Sequence, residues 1–127
     1  MQDDRFILDY MKTCSDYLMK LDISKLAIES KDMILKTIND DGKLLLAGNG
    51  ASASIANHAS LDFTKQGKVR SLNFNESAFI TAFANDYGYE NWVLNAFKFH
   101  AKKGDTAILI SSSGKSKNLV NAAKYAK

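Results

Sequence analysis

The chain has no proline and a single cysteine, Cys14, among its 127 residues. Without proline, the breaks between elements must be read from Gly, Asn, Asp and Ser. One cysteine cannot close an intrachain disulfide, which fits a reducing compartment. No stretch approaches the roughly 18 apolar residues that a membrane-spanning helix needs. The opening MQDDRFILDYMKTC has no cationic lead followed by an apolar core, so no signal peptide is expected. Runs of one charge are also missing: 17 basic and 14 acidic residues are scattered along the chain, for a net charge of +3. A solvated mixed surface follows, not a nucleic-acid tract. With 46% hydrophobic residues the chain buries a real core, which excludes disorder. The expectation is one cytoplasmic domain with no membrane and no nucleic-acid partner.

Two helices are predicted first. Asp3 and Asp4 precede an apolar series at Ile7, Tyr10, Met11, Cys14, Tyr17, Leu18 and Leu21, with acids where the helix dipole favours them. Ser24 opens the second, which runs through Ile38 to a C-cap at Gly42. Leu44 to Ala47 is then a short continuous apolar run between Gly42 and Gly48-Asn49-Gly50, the mark of a buried parallel strand. A helix over Ser52–Lys65, a weaker strand near Val69–Phe74 and a helix over Glu76–Asn85 follow. Next come a polar loop, Asn85-Asp86-Tyr87-Gly88-Tyr89, and a helix over Glu90–His100. Thr106–Ile110 is the second clear strand, and Ser116 opens a last helix over Lys117–Lys127. Strands alternating with helices imply a doubly wound, mostly parallel α/β sheet. Two strong strands and one weak one are few for such a sheet, and the last helix meets the end of the chain without a cap. The expectation is that the final part of the domain is absent.

Two segments share one architecture of apolar strand, small polar loop and helix: LLLAGNGASASIA (44–56) and AILISSSGKSKNLV (107–120). In an open α/β sheet, ligands bind where such loops leave the carboxyl ends of the strands. Free N–H groups at a helix start bind anions such as phosphate. Asn49, Gly50, Ser52, Ser111, Ser112, Ser113 and Ser116 are therefore candidate phosphate ligands. The competing reading makes Ser52 and Ser116 ordinary N-caps. Two nucleotide motifs are excluded. Gly48-Asn49-Gly50-Ala51-Ser52-Ala53 satisfies the loose dinucleotide fingerprint, but Lys68–Asn75 lacks the acid that would hold the ribose. Gly114-Lys115-Ser116 mimics the end of a Walker A loop, whose first glycine would fall at Leu109, inside the strand. No nucleotide cofactor is expected.

His58 and Asp62 stand four apart and share a helix face with Ser54. Such a pair can hold a metal or act as acid and base; a surface ion pair is the competing reading. His100, Trp92, Phe97 and Phe99 read as structural.

Taken together, AGNGASASIANHASLDF, FANDYGYENWV and ILISSSGKSKN, in this order and spacing, resemble the phosphoheptose isomerases of the SIS family, along the whole chain. The resemblance implies a flavodoxin-like SIS domain, with residues 1–41 a helical pair for oligomerisation and 42–127 the sugar-phosphate-binding part, assembled as a homotetramer. It implies a phosphorylated sugar held by Ser111–Ser116 with Asn49 and Ser52, and Asp86 near substrate hydroxyls. It also implies a metal, zinc, with His58 and Asp62 taking part in metal binding and in proton transfer between C1 and C2. The reaction so implied is an aldose–ketose isomerisation in surface-polysaccharide precursor synthesis; the alternative is a non-catalytic SIS protein binding a sugar phosphate or a protein partner. The chain departs from the family pattern at Asp62, one methylene shorter than the family's glutamate, and at Gln66, where the family has arginine.

Overall fold

The computed structural model describes residues 2–127, with side chains from Asp4 onward. Asp3, one of the two acids expected at the first helix, lies outside the described side chains. The chain divides into two compact units, residues 1–32 and 33–127.

In the larger unit, β1 (Leu44–Gly48) is the centre of a three-stranded sheet. Leu44, Leu45, Leu46 and Ala47 are at most 1% exposed, so both faces of this strand are covered, which is why it is a continuous apolar run. It pairs in parallel with β2 (Ser71–Asn73) on one side and β3 (Thr106–Ile110) on the other, Leu44 opposite Ser71 and Thr106. The order β2-β1-β3 is that in which flavodoxin-like sheets begin.

The sheet pleat sorts the core into two halves. Leu45, Ala47, Ala107 and Leu109 face a cluster with Phe74, Trp92, Val93, Ala96, Phe97, Leu119 and Ala122. These come largely from α5 (Trp92–His100) and α6 (Lys117–Ala126), with α4 (Ser77–Tyr87) against them. Leu44, Leu46, Ile108 and Ile110 face the other way, onto Ile34 and onto Ala56, Ala59 and Phe63 of α3 (Ala51–Lys65). Helices thus cover both faces, as a doubly wound sheet requires. Burying a side chain such as Phe97 contributes about 2–3 kcal/mol.

The amino ends of the strands are locked by polar contacts. Lys43 and Asp105 precede β1 and β3 at equivalent register, and Lys43 Nζ meets Asp105 Oδ2 at 2.6 Å. The same carboxylate accepts from the backbone N–H groups of Lys43 (2.9 Å) and Lys102 (2.8 Å). Burial pushes the Asp105 carboxyl up, but these donors outweigh it and hold the group below its ordinary range. Beside them, a Cβ on Gly42 would come within 2.2 Å of the Gly104 carbonyl oxygen.

Several boundaries differ from the sequence reading. The helix Ser24–Asn39, α2, ends through Asp41, not Gly42: Asp41 has φ 54°, and the Asp41 and Gly42 N–H groups donate to Ile38 and Thr37. That is a Schellman arrangement with aspartate in the left-handed position, while glycine is needed at 42 for space. Just beyond α3, Lys68 likewise takes the left-handed region (φ 55°). β2 is only three residues, because Val69 and Phe74, the buried ends of the apolar pattern, serve as plugs outside the ladder. Asn85, Asp86 and Tyr87 belong to the last turns of α4 and not to a loop. That helix starts at Glu76, whose carboxylate accepts from Ala78 N (3.0 Å) and Phe79 N (2.8 Å), bonds that hold it below its usual range.

The smaller unit holds α1 (Gln2–Lys20) and the first part of α2. Its large apolar side chains are exposed, among them Ile7, Tyr10, Tyr17, Leu18 and Leu21, and Cys14 is half-buried and free. No helix among the described residues is long and apolar enough to cross a membrane.

Candidate functional site

β1 and β3 stay paired up to Gly48 opposite Ile110, so the loops that follow them lie side by side. From β1 the chain turns to β2 on one side, and β3 adds on the other, which makes the carboxyl end between β1 and β3 the switch point where ligands enter such sheets. A cleft of about 420 Å³ opens there, lined by Asn49, Tyr89, Glu90, Ser116, Lys117 and Asn118.

The first loop is shaped by two glycines. Gly48 lets the first turn of α3 approach, since a Cβ there would lie 2.4 Å from the Ser52 carbonyl oxygen. Gly50 is the N-cap, with φ 55° and no side chain to occupy the helix N–H groups. Ser52 therefore sits inside the helix and is not the cap. The second loop is a set of hydroxyls. Gly114 N donates to Ser111 Oγ (3.1 Å), Lys115 N to Ser113 Oγ (3.2 Å), and Ser111 Oγ lies 3.3 Å from Ser116 Oγ. Ser116 occupies the N-cap position of α6 without a side-chain capping bond. Ser116 lines the cleft with its hydroxyl beside that of Ser111, at the positive end of a ten-residue helix. Ser112 and Ser113 are exposed on the same loop.

An amide pair joins the two loops. Asn49 Nδ2 donates to Asn118 Oδ1 (3.0 Å), and Asn118 Nδ2 donates back to Asn49 Oδ1 (2.8 Å). The Tyr89 hydroxyl also donates to Asn49 Oδ1, at 3.1 Å. Asn121 of α6 donates to the Glu90 carbonyl (2.9 Å), which ties the Tyr89–Glu90 segment to the same helix.

The chain belongs to the SIS-domain family. The family model, described as SIS domain, matches residues 9–127. Among its relatives, a phosphoheptose isomerase of Helicobacter pylori is 40% identical over 106 residues, which are 78% of this chain and 55% of that protein. A phosphoheptose isomerase of Campylobacter concisus is 34% identical over 125 residues, 93% of this chain and 64% of the relative. The structure of phosphoheptose isomerase GmhA from Neisseria gonorrhoeae superposes with a TM-score of 0.87 at 24% identity, over 99% of this chain and 69% of that one, a likeness in fold. This SIS domain spans little more than half the length of the Helicobacter relative.

The SIS domain thus brings together Asn49 and Ser116 of the residues singled out by sequence, with Gly50 and Ser111–Ser113 on the flanking loops and Ser52 in the first turn of α3. Asp86 is exposed, accepts from Asn85 Nδ2 (2.9 Å), and does not line the cleft. Tyr89 and Glu90 from the same segment do. Sequence reasoning missed Tyr89, Glu90, Lys117 and Asn118. Asn118 carried a usable signal, as an amide two residues beyond an expected helix start in a ligand loop.

His58 and Asp62 form the expected pair, Nε2 to Oδ2 at 3.5 Å, on the outer face of α3, with side chains 75% and 56% exposed. Asp62 lies ten residues beyond Ser52, about 15 Å along the helix. Two donors make half of a tetrahedral zinc shell, and the described residues hold no cluster of three or more His, Cys, Asp or Glu suited to a metal. His58 and Asp62 alone do not make a zinc site.

Proposed function

We propose that this SIS domain binds a phosphorylated sugar at the carboxyl end of its sheet and belongs to an aldose–ketose isomerase acting on a phosphorylated heptose, in surface-polysaccharide precursor synthesis in the cytoplasm. The observation that supports the binding reading most is the uncapped start of α6. Ser116 leaves its helix N–H groups without a side-chain partner, beside Ser111, Ser112, Ser113 and a glycine with φ 64° at Gly114. The phosphate would sit on Ser111, Ser113 and Ser116, with the sugar directed toward Asn49 and Tyr89. The relatives named as phosphoheptose isomerases support the choice of reaction.

Isomerisation moves a proton between C1 and C2. A carboxylate removes the proton from one carbon, the electron pair passes to the neighbouring carbonyl oxygen as an enediol forms, and the proton returns to the other carbon. Asp62 is the carboxylate on the ligand-side helix, with His58 beside it to exchange protons with the sugar oxygens. No step is routed through zinc, because the residues present do not complete its shell. An exposed carboxylate is a weak base toward carbon, so the pair needs cover. Ile55 and Leu61, both exposed near the pair on α3, offer an apolar rim for a second subunit. The exposed apolar stripe of α1 supports the same homo-oligomer, a tetramer. Light scattering should report an oligomer at micromolar concentration; a stable monomer would refute it.

The exposure of His58 and Asp62 favours one second reading, a non-catalytic sugar-phosphate sensor. Proton exchange at C1 or C2 of sedoheptulose 7-phosphate in deuterated water separates the two. Turnover predicts exchange in the wild type that is abolished in Asp62→Asn, with phosphate affinity little changed. Exchange that persists in Asp62→Asn removes this residue from the mechanism, and a wild type that binds without exchange is a sensor.

A further inference from the structure

We infer that Asn118 is a positioning residue for the ligand, acting through Asn49, with the Tyr89 hydroxyl as its partner; the inference rests on the sugar-phosphate reading above. The argument is one of hydrogen-bond capacity. A side-chain amide offers two lone pairs on oxygen and two N–H donors. Both lone pairs of Asn49 Oδ1 are taken, by Asn118 Nδ2 at 2.8 Å and by the Tyr89 hydroxyl at 3.1 Å. One N–H of Asn49 is taken as well, by Asn118 Oδ1 at 3.0 Å. A single N–H remains for a ligand in the cleft that Asn49 lines. Asn49 is thereby converted from an amide with either polarity into a donor, suited to a phosphate or sugar oxygen. Asn118 is 2% exposed and bonded to a residue 69 positions away, so it fixes one ligand loop against the other. Burying an amide has a cost unless its bonds are made, and here they are made to a cleft-lining group. Preorganising a donor in this way raises affinity by removing the cost of ordering it on binding.

The test is a double-mutant cycle on the full chain, read by calorimetry with sedoheptulose 7-phosphate and with inorganic phosphate. Asn118→Ala should weaken sedoheptulose 7-phosphate binding about 10-fold, and the Asn118→Ala/Asn49→Ala double variant should bind no more weakly than Asn49→Ala alone. Tyr89→Phe removes one exposed hydroxyl and should weaken binding about 3-fold; it decides the matter if Asn118→Ala fails to fold. The Asn49 side-chain amide resonances should shift on adding sedoheptulose 7-phosphate to the wild type. That shift should shrink in Tyr89→Phe and in folded Asn118→Ala, a loss that a merely structural role would not produce. Additive losses in the double variant, or undiminished affinity in Asn118→Ala or Tyr89→Phe, would overturn the inference while leaving the sugar-phosphate reading intact. A wild type that binds neither probe would overturn that reading, and the inference with it.

Discussion

The two ends of the sheet are built from the same parts and left in opposite states. At the amino end, Lys43 and Asp105 are sunk between β1 and β3, and Asp105 accepts from three donors at 2.6–2.9 Å. Gly42 and Gly104 close the remaining space. At the carboxyl end, the strands are followed by glycines and serines, and the α6 N-cap makes no side-chain capping bond. Polar groups that are partnered hold the strands in register; polar groups that are left open can hold something else. On the sugar-phosphate reading, stability and binding fall to opposite ends of β1 and β3, as open α/β sheets generally arrange them.

Substitutions at the two ends test that division. Gly42→Ala should have the largest effect on stability, about 3 kcal/mol or more, because its Cβ would meet a backbone carbonyl that no rotamer can clear. Thermal unfolding measures it, and a variant as stable as the wild type would show that the amino end is looser than described. Asp105→Asn should cost about 2 kcal/mol by leaving Lys43 poorly partnered, with phosphate affinity unchanged. The same residue sets an acid limit. Its folded-state pKa is depressed, so its contribution is full above the ordinary carboxylate value of about 4 and is lost as pH falls through the lower folded value. Asp105→Asn should flatten that part of the stability–pH curve, and an unaltered acid limb would remove Asp105 from the account.

How far the sequence reached follows the same physics. β1 was legible because a strand buried on both faces must be a continuous apolar run, and β3, half-buried at every position, still packs apolar residues on both faces. The Leu44–Ala47 and Thr106–Ile110 runs sit between glycines and serines. The two candidate phosphate loops were marked by glycine and serine clusters at strand ends, and the parallel pairing of β1 and β3 sets them side by side. Asp41 taking the left-handed position, and β2 stopping short of its buried plugs Val69 and Phe74, depend on tertiary fit and leave no periodic trace. The Lys43–Asp105 pair did leave a trace: Gly42-Lys43 and Gly104-Asp105 precede the two strands with opposite charges at matching offsets. It becomes readable only once the strands are known to be neighbours in register. The family resemblance already assigns the two loops to one ligand, but the Asn49–Asn118 pair that bonds them together is visible only in the fold. His58 and Asp62 were found as a pair, but their exposure was not foreseeable from spacing, which gives a shared face without saying what that face meets.

The central claim is that the open carboxyl end binds a phosphorylated sugar. Its most direct test is a calorimetric titration of sedoheptulose 7-phosphate into the wild type and into the Ser113→Ala/Ser116→Ala variant, with thermal unfolding of both. Neither hydroxyl caps α6, so the account predicts affinity at least about 10-fold weaker at nearly unchanged unfolding temperature. Equal affinity in the two proteins would contradict it.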